Sequence, residues 1–425
     1  VEAYFQPVLT MHIAILVQDF APETGAGPAR ITELAAEWIR LGHEVSVVTA
    51  FPNRRLPGQR DGVIPTPYRG RLFMREDWNG IKVYRSWLYT SPTRGFARTM
   101  INNLTFAASS LIYGLAALPR PDVLIASGPP YFSQFSGALI AWIKRVPLVL
   151  EIRDLWPDYV AEMGVIKRQF LIDAMFATER WLLRRATAVT VVTESFKERL
   201  GRKGVPADVV TVVPNGVDTS RYFASAERFV PDGVSLEDGT PLIGYLGTFG
   251  AGQGLVAVVE AARLLRTRGV NAHFALVGDG PDRAALEADL VARPVPNLTL
   301  HSPIPRDSTR ALYNTCDVVL VPHASLPVLG DTVPSKIFEV MACERPLVAA
   351  IRGEGARIVD RSGGGVLATP GDGPSIADAV ERVLRMPEAE RKAMGHAGRT
   401  FALAEYDRAA LAQRYLVSLS LAAKR

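Results

Sequence analysis

Leu242-Ile243-Gly244-Tyr245-Leu246 runs directly into Gly247-Thr248-Phe249-Gly250-Ala251-Gly252-Gln253-Gly254. An apolar run of strand length that ends in a glycine cluster reads as a buried strand turning sharply at its carboxyl end. Leu276-Val277 leads into Gly278-Asp279-Gly280-Pro281 in the same way, and Gly25-Ala26-Gly27 follows the first apolar run and precedes a helix. Working outward, further runs fall at 12–17, 44–49, 81–84, 122–126, 147–152, 188–193 and 209–213 in the first half. The second half has 242–246, 273–277, 298–301, 317–321 and 347–350. Helix-period segments lie between several of them; Ile31, Leu34, Ala35, Trp38 and Ile39 are spaced i, i+3, i+4, i+7, i+8. Near-continuous apolar strands alternating with helices predict parallel sheets covered on both faces. So many units exceed one ordinary open sheet, and two doubly wound α/β domains are expected. The split falls near 215–238, rich in Pro, Gly, Asp and Ser. The stretch from Pro387 onward reads as helical, and no 20–50-residue repeat is visible.

The chain's 425 residues suit two or three domains. Two cysteines, Cys316 and Cys343, make no disulfide framework, so a reducing compartment is expected. The net charge of +5 is uneven. Residues 1–218 hold 25 Lys+Arg against 20 Asp+Glu, and residues 219–425 hold 23 of each, so an anionic partner is expected for the first half. Two uncharged 21-residue stretches, 99–119 and 123–143, raise the membrane question. Asn102, Asn103, Ser109 and Ser110 interrupt the first and Gly128-Pro129-Pro130 the second, so both read as buried soluble segments. Residues 1–10 carry Glu2 and no basic n-region, so no secretory signal is expected there; Met11 reads as a natural start.

Glycine lets a backbone approach a phosphate, and a following helix N-terminus favours its charge. The plain alternative for each cluster is an ordinary strand-to-helix turn. A dinucleotide site fits poorly: the first loop has Arg30 where a third glycine belongs, and the second strand ends Val47-Val48-Thr49-Ala50 without an acid for a ribose. No Walker lysine follows any of the glycines. The richest segment is Asp331-Thr332-Val333-Pro334-Ser335-Lys336-Ile337-Phe338-Glu339. Pro334-Ser335 predicts a helix entry with Ser335 as N-cap, and Ser335 and Glu339 share a face. Helix N–H groups and Lys336 suit a diphosphate, Glu339 suits ribose hydroxyls, and Asp331 suits sugar hydroxyls. The plain alternative is a solvated helix start.

With these residues, Asp331-x7-Glu339 resembles the E-x7-E element of retaining glycosyltransferases of family 4, which have the GT-B fold. Gly42-His43-Glu44-Val45, Val213-Pro214-Asn215-Gly216-Val217-Asp218, Leu276-Val277-Gly278-Asp279-Gly280-Pro281 and the stretch from Leu312-Tyr313 through Cys316-Asp317-Val318 to Pro322 resemble further family elements, in order. The resemblance implies two facing Rossmann-like domains with a cleft between them. An acceptor domain is expected over 1–218, with helix 407–425 packing back on it, and a donor domain over 219–406. It implies donor contacts from Gly247, Thr248, Phe249, Gly250, Gln253, Gly278, Gly280, Ile304, Ser335, Lys336 and Glu339. Asp331, Glu339, Lys336 and Asp154 are expected at the chemistry, and Gly25, Ala26, Gly27 and Arg153 as a phosphate or acceptor loop. This chain departs from the family in having Asp331 for its usual Glu, and Thr248 and Gln253 for its usual Arg and Lys. Arg153-Asp154-Leu155-Trp156-Pro157-Asp158 with Pro334-Ser335-Lys336-Ile337-Phe338-Glu339 is similar to bacterial fucosamine-type transferases of surface-polysaccharide assembly. Transfer with retention and without a metal is implied; no two aspartates are spaced D-x-D, and no cofactor is expected. Asp154 is expected to orient or deprotonate the acceptor, or only to hold its loop with Arg153.

Between residues 50 and 100 lie Arg54, Arg55, Arg60, Arg69, Arg71, Arg75, Lys82, Arg85, Arg94 and Arg98 against three acids, interleaved with Phe51, Tyr68, Phe73, Trp78, Tyr84, Trp87, Tyr89 and Phe96. Charge with interfacial aromatics predicts an anionic membrane surface and a lipid-diphosphate acceptor, hence a cytoplasmic protein peripheral to the membrane. A solubilising basic loop is the plain alternative, and no nucleic-acid module is recognisable. A UDP-sugar donor is expected by family habit, with a GDP-sugar as the alternative. A hexosamine 2-epimerase on the same scaffold and a non-catalytic sugar-nucleotide binder are the other readings.

Overall fold

The structure, a computed structural model, describes residues 10–54, 56, 61–92, 95–162, 166, 168–234 and 239–424. Arg55, Arg60 and Arg94 of the basic segment, the residues before Thr10 and part of the expected split at 235–238 lie outside the described residues. The chain divides into two compact units, Val1–Pro214 with Ala409–Arg425, and Asn215–Arg408.

The first unit carries β1 (His12–Leu16), β2 (Glu44–Ala50), β3 (Phe73–Trp78), β4 (Ile81–Ser86), β5 (Val123–Gly128), β6 (Leu148–Ile152), β7 (Ala188–Val191) and β8 (Val210–Val212). Their order in the sheet is β3-β4-β2-β1-β5-β6-β7-β8. All neighbours pair parallel except β3 with β4. That hairpin follows from Asn79-Gly80, both at positive φ, the pair favoured in tight two-residue turns. Helix Ala26–Arg40 buries Ile31, Leu34, Ala35 and Trp38, the face its spacing predicts. Helix Arg408–Ala423 joins the same core through Leu411, Ala412, Tyr415 and Leu419. The Trp38 indole donates to the Ala412 carbonyl at 3.0 Å and meets Tyr415 edge-on.

The stretch 99–119 differs from its expected burial. All but its last two residues lie in helix Phe96–Ala117, which buries Asn102, Asn103, Phe106 and Ser110 and leaves Ile101, Leu104 and Ile112 exposed. The apolar residues at 101, 104 and 112 share the outer face because helical neighbours recur three to four residues apart. Stretch 123–143 forms β5 and most of helix Tyr131–Lys144. Among the described residues, no helix is long and apolar enough to cross a membrane.

The second unit carries β9 (Leu242–Leu246), β10 (His273–Val277), β11 (Leu298–His301), β12 (Val318–Pro322), β13 (Leu347–Ala350) and β14 (Gly365–Leu367). The order is β11-β10-β9-β12-β13-β14, with every pairing parallel. Helices cover both faces, and β9, β12 and β13 are buried throughout. Both units are therefore doubly wound α/β sheets. Each has one place where the strand order reverses, beside β1 in the first and beside β9 in the second. In open α/β sheets ligands gather at the carboxyl ends of such strands.

Candidate functional site

In the second unit the loops after β9, β10 and β12 interlock. A Cβ at Gly278 would collide with the Gly247 carbonyl oxygen, and one at Gly280 with that of Phe249. The Gly247 N–H donates to Val277 O at 3.0 Å, and the Phe249 N–H to Asp279 O at 2.8 Å. Gly254, at φ +62°, leaves no room for a side chain against the His323 carbonyl. Close loop packing thus accounts for Gly278, Gly280 and Gly254 before any ligand is considered. Gly247 differs: a Cβ there would stand 2.6 Å from Lys336 Nζ, so its bareness admits an ammonium.

Lys336 opens the short helix Lys336–Ala342. Its Nζ stands over the Tyr245 ring, 4.2 Å from the centroid. Loss of hydration lowers its ammonium to about 8, against the pull of Glu339. Ser335 precedes the helix in αR geometry and makes no side-chain cap bond, which corrects the expected N-cap. Glu339 accepts from the Tyr313 hydroxyl at 3.1 Å. Asp331 ends the 3-10 turn Pro327–Asp331 and is half-buried, and Ile304 packs at the edge of the core. Tyr245 donates to the Thr248 carbonyl at 2.8 Å and reaches Gln253 Oε1 at 3.3 Å. Gly250 begins the turn whose Gln253 N–H returns to it at 2.8 Å. Phe249 is fully buried in the core, so its side chain is not offered to a donor as the resemblance implied.

His323, which the sequence reading passed over, follows β12 directly. It is buried with Nδ1 unpartnered among the described residues, and burial, then Lys336, lowers it to about 4, so the ring is neutral. Its place immediately after an apolar strand was the available signal.

In the first unit, Gly25 at φ +122° starts helix Ala26–Arg40 without a side-chain cap. Ala26 and Gly27 lie in that first turn, whose N–H groups have no intrahelical partner. A Cβ on Gly27 would stand 2.5 Å from Arg153 Nη1. Arg153 donates to the carbonyls of Gly128 at 3.2 Å and Pro129 at 3.1 Å, and lies 4.0 Å from Glu151. It therefore fastens the ends of β5 and β6 beside the glycine loop. Asp154 is exposed yet hemmed in by protein; lost hydration pushes its carboxyl up to about 6, and Arg153 pulls the other way. Arg153 and Asp154 thus lie at the carboxyl end of β6, and Arg153 is committed to carbonyls. A second group, Gln18, Asp19, Glu23 and Asn102, was not singled out from sequence.

The basic segment is not one free patch. Arg85 is buried and ion-paired to Glu76, with its other nitrogens on Ala50 and Ala21 carbonyls. Lys82 pairs with Glu44 at 2.9 Å, and Phe51 and Tyr84 are core residues. Leu72, Phe73 and Trp87 are exposed, and Phe73 stacks on Tyr113 of helix Phe96–Ala117 at 4.7 Å. Among the described residues, no group of three or more His, Cys, Asp or Glu is placed to hold a metal ion.

Residues 25–216 match the Glycosyl transferase 4-like domain, and residues 240–386 match Glycosyl transferases group 1. The chain belongs to the glycosyltransferases of family 4. This transferase is 29% identical to the colanic acid biosynthesis glycosyl transferase WcaI of Escherichia coli over 342 residues, 78% of this chain and 81% of that one. It is 32% identical to the 2-deoxystreptamine glucosyltransferase of Streptomyces kanamyceticus over 216 residues, 50% of this chain and 54% of that one. Among solved structures, the transferase superposes on sucrose-phosphate synthase from Thermosynechococcus elongatus with TM-score 0.69 at 18% identity, covering 98% of this chain and 100% of that one. Anabaena HepE in complex with UDP and glucose gives 0.67 at 18% identity, covering 96% and 99%. At such identities these structures establish the fold, which is GT-B.

Proposed function

We propose that the transferase moves a sugar, an N-acetylated or deoxy amino sugar, from a UDP-sugar to a lipid-diphosphate-linked saccharide during bacterial surface-polysaccharide synthesis, with retention and without a metal. The carrying observation is the meeting of Gly247, Lys336 and Tyr245 at the carboxyl end of β9, with Glu339 on the same short helix. Lys336 and the loop N–H groups would neutralise the diphosphate as it leaves. Glu339 would take the ribose hydroxyls, and Asp331 the sugar hydroxyls. Ser335, Thr248, Gly250, Gln253, Gly278, Gly280 and Ile304 would line the donor. Leaving phosphate oxygen would accept the acceptor's proton, so a strong protein base is not required. Asp154 would orient the acceptor on the first unit, with Gly25, Ala26, Gly27 and Arg153 forming an anion loop there.

The surface-polysaccharide setting is supported by the printed names of relatives, WcaI and WcaL of Escherichia coli and a lipopolysaccharide N-acetylglucosaminetransferase of Salmonella typhimurium. For membrane contact, the exposed stripe Ile101, Leu104 and Ile112, with Leu72, Phe73 and Trp87 nearby and Arg98 at the helix start, replaces the basic loop as the apposed surface. The deciding experiment offers the purified chain UDP- and GDP-hexoses, with an acceptor lipid and with none. UDP release that requires acceptor, with the donor's anomeric configuration kept in the product and no loss in chelator, is expected. Release from a GDP-sugar alone moves the donor assignment, and isomerised donor without acceptor makes the chain an epimerase. Salt-sensitive sedimentation with anionic vesicles is expected, and its absence at low salt removes the membrane.

A further inference from the structure

A hollow of about 520 Å³ opens in the first unit at the amino ends of β6 and β7. Val146 and Leu148, where the chain enters β6, line it together with Thr187, just before β7. The last turn of helix Tyr131–Lys144 adds Trp142 and Ile143. Two arginines complete the lining: Arg145, the residue after that helix, and Arg185, the last of helix Gln169–Arg185. Arg153, Asp154 and the Gly25 loop lie at the opposite, carboxyl ends of the strands. β6 is five residues long, so about 16 Å of strand separates the two places. The hollow is of small-molecule size, within the usual range of about 300–1,000 Å³.

Two features of the lining select a class of ligand. The first is charge. Neither guanidinium makes a hydrogen bond or ion pair among the described residues, and none of the described lining residues is acidic. Arg185 stands only over the Trp181 ring, at 5.2 Å. The acids of helix Gln169–Arg185 are engaged elsewhere, Asp173 with Gln169 at 3.0 Å and Glu179 with Lys203 at 2.8 Å. The second feature is apolar surface, since Trp142 is 65% exposed and Ile143 52%. A cation at a helix C-terminus is favoured by the dipole, which explains the charges but neither the hollow nor the bare indole. Arg145 adds a third observation. It sits at φ +53°, in the left-handed region where a helix end favours glycine or asparagine. Backbone strain of this kind gathers where a side chain is needed for binding.

We infer that this hollow is a binding site, separate from the transfer chemistry, for an amphiphilic anion: one phosphate or carboxylate carried on an apolar body. Arg145 and Arg185 take the anionic head, which guanidinium groups match in geometry and charge. Trp142 and Ile143 cover the apolar body. A bare anion would leave the indole wet, and a neutral apolar molecule would leave both arginines unanswered. The site goes beyond the transferase reading and holds or fails whatever sugar is moved.

The test uses the full chain and calorimetry with octyl phosphate below its micelle concentration. Inorganic phosphate and octanol serve as its two halves. Octyl phosphate is expected to bind one per chain, at least about tenfold more tightly than either half. Arg145→Asn and Arg185→Gln should each weaken it about five- to tenfold, as loss of a charge-assisted hydrogen bond does. Trp142→Ala should weaken it by a similar factor through lost apolar cover. Asparagine tolerates the left-handed conformation, and Arg185 and Trp142 are exposed, so all three variants should fold, as urea denaturation checks. UDP affinity should stay within about twofold in each. Octyl phosphate that binds no more tightly than inorganic phosphate or octanol overturns the inference. So does an affinity unchanged in both arginine variants, or unchanged in Trp142→Ala. Sedimentation with phosphatidylglycerol vesicles separates the sources. If it weakens in both arginine variants the ligand is a bilayer lipid; if it is unchanged while octyl phosphate affinity falls, the ligand is a free small molecule. Wild type that fails to bind UDP strikes the donor reading alone.

Discussion

Lys336 Nζ stands 4.2 Å from the centre of the Tyr245 ring, in the space that Gly247 leaves by having no side chain. A ring face attracts an ammonium, by about 0.5–2 kcal/mol depending on desolvation. The cation is thus held at the end of β9 by packing and ring electrostatics, where a diphosphate would meet it. Glu339, three residues along the chain, supports its charge from a distance.

Lys336 is lowered to about 8 by lost hydration, which fixes the sign of a pH effect. Below pH 8 the ammonium is present and can pair with phosphate; above it the free protein holds a neutral amine. UDP affinity should be flat from about pH 6.5 to 7.5 and weaken by about tenfold per pH unit well above 8. Calorimetry across that range in wild type and Lys336→Met checks it. The variant should bind at least about tenfold more weakly at pH 7, about 1.4 kcal/mol, and show no such slope. A wild-type profile flat to pH 9.5 removes Lys336 from the diphosphate.

Tyr245→Phe keeps the ring under Lys336 and removes only the hydroxyl, which ties the Thr248 carbonyl at 2.8 Å. The expected cost is about 1 kcal/mol of stability, the net worth of one such bond. Loosening the loop should also weaken UDP binding a few-fold. Urea denaturation and calorimetry read the two effects; Tyr245→Leu, which removes the ring too, should be worse in both.

The alternation of apolar runs and helices made both doubly wound sheets legible, because parallel strands buried on two faces carry their signature residue by residue. Hairpin β3–β4 is signalled only by Asn79-Gly80, because β3 itself, Phe73-Met74-Arg75-Glu76-Asp77-Trp78, is a half-exposed edge strand with three charges and no apolar run. Arg85 shows the limit of counting charges: sequence cannot say that Glu76 and two carbonyls consume it. Lys336 and Glu339 were legible because they sit three residues apart on one helix start. Gln18, Glu23 and Asn102 were not, since Asn102 reaches the loop after β1 from 84 residues away. Phe249 was carried over by resemblance, yet an aromatic inside a glycine loop is placed by the core it can reach.

Glu339→Gln should weaken donor binding or turnover at least about tenfold, because a neutral amide accepts hydroxyl protons less strongly and gives Lys336 no charge support. Tyr313→Phe separates contact from positioning. Tyr313 is fully enclosed and touches Glu339 through one 3.1 Å bond, so it can act only by aiming that carboxylate. Its loss should raise KM for the donor about two- to fivefold with kcat nearly unchanged. Steady-state kinetics with both substrates varied check the split. Normal donor kinetics in Glu339→Gln would count against the assignment of this helix to the nucleotide sugar.

The first unit contains a buried ion pair in which loss of one partner should be strongly destabilising. Arg30 Nε lies 3.1 Å from Glu151, and its other nitrogens donate at 2.8 Å to the carbonyls of Val213 and Pro214, where the chain leaves this unit. Ser127 donates to the second Glu151 oxygen at 2.6 Å. Burial alone would raise Glu151, but Arg30, Arg153 and Ser127 overcome it and hold the carboxyl below its ordinary value. A carboxylate depressed in the folded state contributes stability above its unfolded value, near 4.5, and loses it as the pH falls through the lower folded value. Arg30→Met strands the Glu151 charge in the core and should cost about 3–5 kcal/mol at pH 7. The double variant Arg30→Met with Glu151→Leu should recover much of that loss, since an apolar pair of similar size carries no desolvation penalty. Urea denaturation of wild type, single and double variants at pH 7 and pH 4.5 checks the sign. The single variant's deficit should shrink at the lower pH as its unpaired Glu151 takes a proton, whereas a deficit independent of pH would mean that lost packing around Arg30 sets the cost.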